Sequence, residues 1–353
     1  MRSIPARVRM FGVALGALLV AGLAVAVPAA NADQPAGQGA ADDRQTAIVS
    51  LGDSAISGEG AGNYEPGTNG ENGDWCHRSA NALVHRTAVA DKTINLACSG
   101  ADSSNVSLAD TVHYTEGSQA KRLIDLARQY KVTTVLLQIG ANDDPQFADT
   151  MVDCILAWFD PFGSGCRGEL ATEWPQRLTA MAPKVEAAVA DVKSAMSQAG
   201  YAEGDYDFVL TSYASPLTEH MDSVLHGPQG CPFKIADAKF GRTVAVPQLS
   251  EALRGVASRT GVKFLDFSRG SEGHEACSGG GDSSTEWQNR VTVDPWAWVT
   301  GGLDAIGMHM AQQSFHPNAR GHEQLGRCVT EFVNSGAGSA ACVVGADGNL
   351  HAV

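Results

Sequence analysis

Short apolar runs rich in branched residues recur along the chain: TAIVSL at 46–51, TINLA at 93–97, TTVLLQI at 133–139, DFVLTSY at 207–213 and VKFLDF at 262–267. Each has the length of a strand, and near-continuous apolarity of this kind belongs to strands buried on both faces. Between the runs the pattern changes to the three- and four-residue spacing of amphipathic helices, at 79–90, 119–130, 174–199 and 247–260, and a last helix is predicted over 318–334. Strand and helix in alternation predict an α/β domain whose parallel sheet is covered on both sides. Ligands of such sheets bind outside the carboxyl ends of the strands, so the loops that follow the runs are where chemistry belongs. Two stretches, 143–172 and 268–312, break the alternation and are expected to be irregular; they carry Trp158, Phe159, Phe162, Trp287, Trp296, Trp298, Met308 and Met310. Irregular segments that long are usually functional or disordered.

The first residues have a different character. Arg2, Arg7 and Arg9 precede an apolar stretch from Phe11 to Val27 and then Ala30-Asn31-Ala32, so 1–32 reads as a secretory signal peptide cut after Ala32. The stretch is slightly short and too rich in Ala and Gly for a spanning helix, so no stable membrane anchor is expected. Residues 33–45 read as a disordered leader, 46–335 as the main domain and 336–353 as a C-terminal tail tied back by a disulfide. Loss of the signal would move the formal charge from −14 to −17, which disfavours nucleic acid as a partner. The product is then a secreted protein, expected to be a monomer. Eight cysteines, an even number in an oxidising compartment, read as disulfides. Sequential pairing gives the shortest loops and is the expected scheme: Cys76–Cys98, Cys154–Cys166, Cys231–Cys277 and Cys328–Cys342. No C-x-x-C or H-E-x-x-H spacing occurs, and His274-Glu275-Ala276-Cys277 lacks a second histidine, so neither metal nor other cofactor is expected.

Four short blocks fall where the sheet rule puts chemistry. Gly52-Asp53-Ser54 follows the first strand, Cys98-Ser99-Gly100-Ala101 the second and Gly140-Ala141-Asn142-Asp143 the third; Ser314-Phe315-His316-Pro317-Asn318 precedes the last helix. Acyl transfer needs a hydroxyl to attack, an imidazole to take its proton and N–H donors for the oxyanion, and these blocks supply all three. Taken singly, each has a plainer reading: Ser54 as a turn or cap residue, Gly100 as a tight turn, Asn142 as a left-handed turn or cap.

With these blocks in this order the chain resembles the SGNH hydrolases, also called GDSL lipases and esterases, and above all their secreted actinobacterial branch, whose first block is close to "GDSAISGEG". The likeness runs from about Thr46 to Val333. It implies a three-layer α/β/α flavodoxin-like domain with a central, mostly parallel five-stranded sheet, an ester or lipid substrate, Ser54 as nucleophile and His316 as base. It further implies an oxyanion hole made by the backbone N–H groups of Ser54 and Gly100 and the side-chain amide of Asn142. The third block departs mildly, with Ala141 where a second glycine is commoner. A larger departure lies three residues before the histidine, where the family usually carries an aspartate and this chain has Gln313. The backbone carbonyl of Gln313 is the expected substitute, which makes the catalytic unit a Ser–His dyad; Asp304 is the alternative acid. Carbohydrate and phospholipid acyl esters stay open as substrates beside simple lipid esters. Two rival readings use other features: "ACSGA" at 97–101 as a nucleophile elbow with Ser99 attacking, and a non-catalytic sugar-binding protein whose tryptophans stack on the ligand.

Overall fold

The computed structural model describes residues 43–293 and 308–353. Strand β1 (Thr46–Gly52) lies between β2 (Lys92–Asn95) and β5 (Lys131–Gln138), and β6 (Asp207–Thr211) and β7 (Lys263–Asp266) follow in parallel. These five are the apolar runs of the sequence, and their order is that of flavodoxin-like sheets. A two-residue hairpin, β3 (Val112–His113) with β4 (Glu116–Gly117), stands apart from them.

Side-chain alternation along the strands divides the interior into two layers. Ala47, Val49 and Leu51 of β1 join Phe208 and Leu210 of β6 under α3 (Gln119–Gln129), α5 (Arg167–Gln198) and α7 (Val246–Thr260), whereas Ile48, Leu136 and Val209 face the C-terminal helix Ala319–Ser335. A third, smaller cluster lies under the irregular stretches and contains Cys154, Phe233, Cys277 and Phe315.

The sequence reading needs four corrections. The sheet has seven strands, because β8 (Ser339–Val344) adds in parallel to β7 and β9 (Leu350–Ala352) returns antiparallel, so 336–353 is sheet edge and more than a tethered tail. Its small residues, SAACVV, carry little strand signal, and their burial comes from the last helix. The helix expected at 79–90 is a single 3₁₀ turn, Leu83–Arg86; the Ser79 hydroxyl takes the Asn81 N–H at 2.9 Å and the Thr87 hydroxyl bonds the Val84 carbonyl at 2.8 Å, competing with longer helix. The stretch 143–172 is largely ordered, since α4 (Phe147–Trp158) fills it and α5 starts at Arg167. Trp296, Trp298 and Asp304 lie outside the described residues.

The cysteines pair as Cys76–Cys98, Cys154–Cys166, Cys231–Cys277 and Cys328–Cys342. Two of the bridges hold the satellite cluster: Cys154–Cys166 ties α4 to the start of α5, and Cys231–Cys277 closes a 46-residue separation. Loop-closure entropy makes the longer loop the more stabilising, by about 4 kcal/mol against about 3 kcal/mol for the 12-residue one. Urea unfolding of the Cys231→Ala/Cys277→Ala and Cys154→Ala/Cys166→Ala double variants is expected to show the first as the less stable by about 1 kcal/mol.

Candidate active site

The end of β1 is shaped by a close approach. Gly52 holds φ +137, and a Cβ there would lie 1.9 Å from the Gln138 carbonyl oxygen at the end of β5. Only glycine lets the two strand ends come this near. The Gln119 side chain, at the start of α3, fixes that glycine from both sides, accepting from its N–H at 2.7 Å and donating to its carbonyl at 2.8 Å. Asp53 then caps the one-turn helix α1 (Ser54–Ser57) by accepting from the Ala55 N–H at 3.0 Å. Its other oxygen accepts from the Tyr213 hydroxyl, which in turn takes the Ala141 N–H at 3.2 Å. Burial pushes the Asp53 carboxyl up to about 7 and the Tyr213 phenol well above its ordinary value. The strut Asp53–Tyr213–Ala141 sets the first block against the third.

The second block is locked to the first and third. Cys98 is bridged to Cys76 and its N–H reaches the Gly52 carbonyl at 3.1 Å, while the Ser99 N–H reaches the Cys76 carbonyl at 3.0 Å. Asp143 is buried and accepts from the Ser103 N–H at 3.1 Å and the Ser103 hydroxyl at 2.8 Å; its carboxyl is pushed up to about 6, chiefly by burial. The Asn142 amide donates to the Ala101 carbonyl at 2.9 Å, with its second N–H uncommitted among the described residues. The N–H groups of Ser54 and Gly100 likewise have no acceptor among the described residues.

His316 arrives on a strained turn. The preceding residue, Phe315, holds φ +59, its ring buried edge-on to Phe233 at 5.1 Å and its N–H on the Asn289 carbonyl at 3.0 Å. The His316 Nδ1 lies 3.0 Å from the Ser314 carbonyl, and its Nε2 lies 2.8 Å from the Ser54 hydroxyl. A carbonyl only accepts, so Nδ1 carries the proton and Nε2 takes the serine hydroxyl. The expected partner at Nδ1 was the Gln313 carbonyl. That oxygen instead faces the Asn289 amide at 3.4 Å, because the left-handed turn at Phe315 brings the carbonyl of Ser314 under the ring. Burial lowers the His316 pKa from its ordinary value.

Ser54, Gly100, Asn142 and His316 border one cavity of about 320 Å³. Its far wall is apolar, made by Phe147, Met151 and Ile155 of α4 with Leu249 of α7, and a hollow of about 60 Å³ behind it shares Phe147, Met151 and Leu249. Sequence reading missed this wall because α4 was taken for irregular chain; of the described aromatics it singled out, Phe159 and Phe162 are exposed, Trp158 is half-buried and Trp287 is buried in the core. It also passed over Gln312, which lines the cavity, and the buried Glu59 behind Ser99, although Glu59 stands in the block that drew attention. Ser99 does line the cavity, but its hydroxyl donates to the buried Glu59 carboxylate at 2.7 Å. One trio with donor atoms close together, Asp74, Cys76 and Glu116, has its sulfur in a disulfide and Glu116 paired with Arg78 and Arg122, so its groups are committed.

The pattern of the GDSL-like Lipase/Acylhydrolase family matches residues 50–324. Among curated proteins, Lipase 1 of Streptomyces coelicolor is 28% identical over 327 residues, covering 89% of this chain and 94% of its own. Lipase 2 of the same organism is 26% identical over 289 residues, covering 78% and 82%. Of solved structures, the extracellular lipase of Streptomyces rimosus superposes with a TM-score of 0.57 at 21% identity, over 83% of this chain and all (100%) of that one. Phospholipase A1 of Streptomyces albidoflavus does so with 0.55 at 22%, over 83% and 100%. These two show the fold.

The Tyr213 strut has a measurable consequence. Tyr213→Phe leaves the Asp53 carboxyl and the Ala141 N–H without their partner inside the protein, so stability is expected to fall by about 1–3 kcal/mol in urea unfolding, with the far-UV circular dichroism of the folded state unchanged.

Proposed function

The chain belongs to the GDSL-like lipase/acylhydrolase family and is a carboxylic ester hydrolase, and on that premise we propose that Ser54 is its nucleophile and His316 its general base. The single observation that carries this is the 2.8 Å contact from the Ser54 hydroxyl to a His316 nitrogen whose opposite nitrogen is held by a carbonyl. Nε2 takes the hydroxyl proton as the oxygen attacks the ester carbonyl. The tetrahedral oxyanion forms beside the N–H groups of Ser54, Gly100 and Asn142, a role supported by their having no other acceptor among the described residues. The imidazolium then returns its proton to the leaving alcohol, and water releases the acyl group by the same route. The Ser314 carbonyl orients the ring, so the unit, among the described residues, is a dyad with no side-chain acid.

Acyl esters of lipids are the substrates this reading favours over sugar esters, because the wall facing Ser54 is apolar from Phe147 to Leu249 and offers an acyl chain a dry surface. A sugar-binding role has less support, since a binding protein has no use for a serine hydroxyl held on a bare imidazole nitrogen. Export through residues 1–32 belongs to the same proposal. It is supported by the four bridges, which persist in oxidising compartments, and no described helix is long and apolar enough to cross a membrane.

Two measurements test the reading. Ser54→Ala is expected to lose about 10⁴- to 10⁶-fold in kcat and all labelling by a fluorophosphonate, while Ser99→Ala keeps the label and Asn142→Ala loses about 10²- to 10³-fold in kcat with KM little changed. Label retained by Ser54→Ala and lost from Ser99→Ala would transfer the role to Ser99. For the acyl wall, Met151→Trp fills the cavity behind Ser54, so hydrolysis of a decanoyl ester should fall at least about tenfold relative to the acetyl ester. An unchanged ratio places the acyl chain elsewhere.

A further inference from the structure

Glu59 is wholly buried, five residues after Ser54 in the turn that leaves α1. A buried carboxylate needs partners, and this one has three: His77 Nδ1 lies 2.7 and 2.9 Å from its two oxygens, the Ser99 hydroxyl donates at 2.7 Å and the Tyr64 hydroxyl at 3.3 Å. The Ser99 hydroxyl in turn accepts from the Gln312 side-chain amide at 2.7 Å. Ser99 precedes Gly100, and Gln312 lies on the segment that leads to His316. One carboxylate therefore joins the serine turn, the Gly100 loop and the histidine loop through two successive hydrogen bonds. The next residue tightens the arrangement. Gly60 holds φ +82, its carbonyl accepts from the Asn289 amide at 2.9 Å, and a Cβ on it would sit 3.2 Å from that of His316.

We propose that Glu59 is a positioning residue for ester hydrolysis, bracing the three loops against one another and supplying from a distance the negative charge that no described side chain brings to His316 Nδ1. The proposal rests on the assignment of Ser54 and His316 above. Burial opposes the charge of Glu59, but His77 and the Ser99 hydroxyl outweigh it and hold the carboxyl below its ordinary value, so it is ionised in the working range of an esterase. At His316, burial lowers the pKa, the Glu59 charge and the Ser314 carbonyl work against that lowering, and His77 weakly reinforces it; His322 is the other titratable group facing the ring. Tyr64 completes the titratable groups around Glu59. The carboxylate touches no substrate position and acts only through its neighbours.

Glu59→Gln keeps an oxygen for Ser99 and removes the charge; Ser99→Ala keeps the charge and cuts the link to Gln312. Both are compared with the wild type on a soluble short-chain ester across pH, with fluorophosphonate labelling in parallel. For Glu59→Gln the expected result is a kcat lower by about 10- to 100-fold, an unchanged KM, and an acid limb of kcat/KM moved to lower pH, since an imidazolium without that charge gives up its proton more readily. For Ser99→Ala it is a kcat lower by several-fold with the limb in place. A Glu59→Gln enzyme with wild-type kcat and an unmoved limb overturns the proposal, and a Ser99→Ala enzyme with wild-type kcat overturns the bracing. Should Glu59→Gln not fold, Glu59→Asp replaces it, with a lowered kcat and an unmoved limb expected, and wild-type kcat overturning the proposal. A label that survives Ser54→Ala is a different failure: it removes the Ser54 and His316 assignment itself.

Discussion

The contact between Ser54 and His316 joins residues 262 positions apart, and a hydrogen bond of about 1 kcal/mol net cannot order the loops that carry its two ends. Its geometry has to be imposed from outside, and the strand ends impose it. Gly52 passes so close to the Gln138 carbonyl that β1 and β5 finish at one fixed separation, and the rigid parallel sheet delivers Ser54, Gly100 and Asn142 to the same edge. The histidine is the only member not on a strand end. Its loop is tied to the rest of the domain by Asn289, by the Phe315 ring packed on Phe233 and by Gln312 on Ser99.

How much of this was legible in the sequence follows from where the signal comes from. The five central strands were readable because both their faces are buried, and burial on both faces writes an unbroken apolar run. Strand β8 was not, because in SAACVV only Cys342 is fully buried, and its bridge to the last helix holds the strand where an unbroken apolar run would otherwise have to. Helix α4 was lost for another reason: the exposed apolar residues Val152 and Leu156 lie beside the stripe of Phe147, Met151, Cys154 and Ile155 and blur its period. The site residues were legible as chemistry, since a serine, a glycine, an asparagine and a histidine after strand ends have few other reasons to coincide. The partner of Nδ1 was not legible, because which carbonyl reaches an imidazole depends on one left-handed residue, Phe315, and nothing in the identity of a phenylalanine announces a positive φ.

Buried acids surround the site without touching the imidazole. Asp53 and Asp143 are both pushed upward by burial, to about 7 and about 6, and each is used as an acceptor for groups that fix a loop. They are struts whose ionisation is opposed by the same burial that makes their hydrogen bonds strong. Glu59 differs, because His77 and Ser99 keep it ionised. The site thus separates two jobs that a single triad aspartate usually combines, orienting the ring and stabilising its charged form.

On the proposed assignment of Ser54 as nucleophile, His316 as base and Ser54, Gly100 and Asn142 as oxyanion donors, that separation bears on how the base works. A carboxylate on Nδ1 favours the imidazolium by a full charge at contact, whereas a carbonyl offers a partial one, so His316 stays neutral to lower pH than a triad histidine. A neutral imidazole is the form that accepts the serine proton, so more of the enzyme is competent in mild acid, while each base is intrinsically weaker. The loss of strength is limited by the desolvated cavity, where the donors facing the oxyanion act at low dielectric and carry more of the transition-state charge than they could in water. The balance then lies with the oxyanion donors more than with the base, and those donors are held by the Gly52 turn, the Cys76–Cys98 bridge and the Asn142 to Ala101 bond.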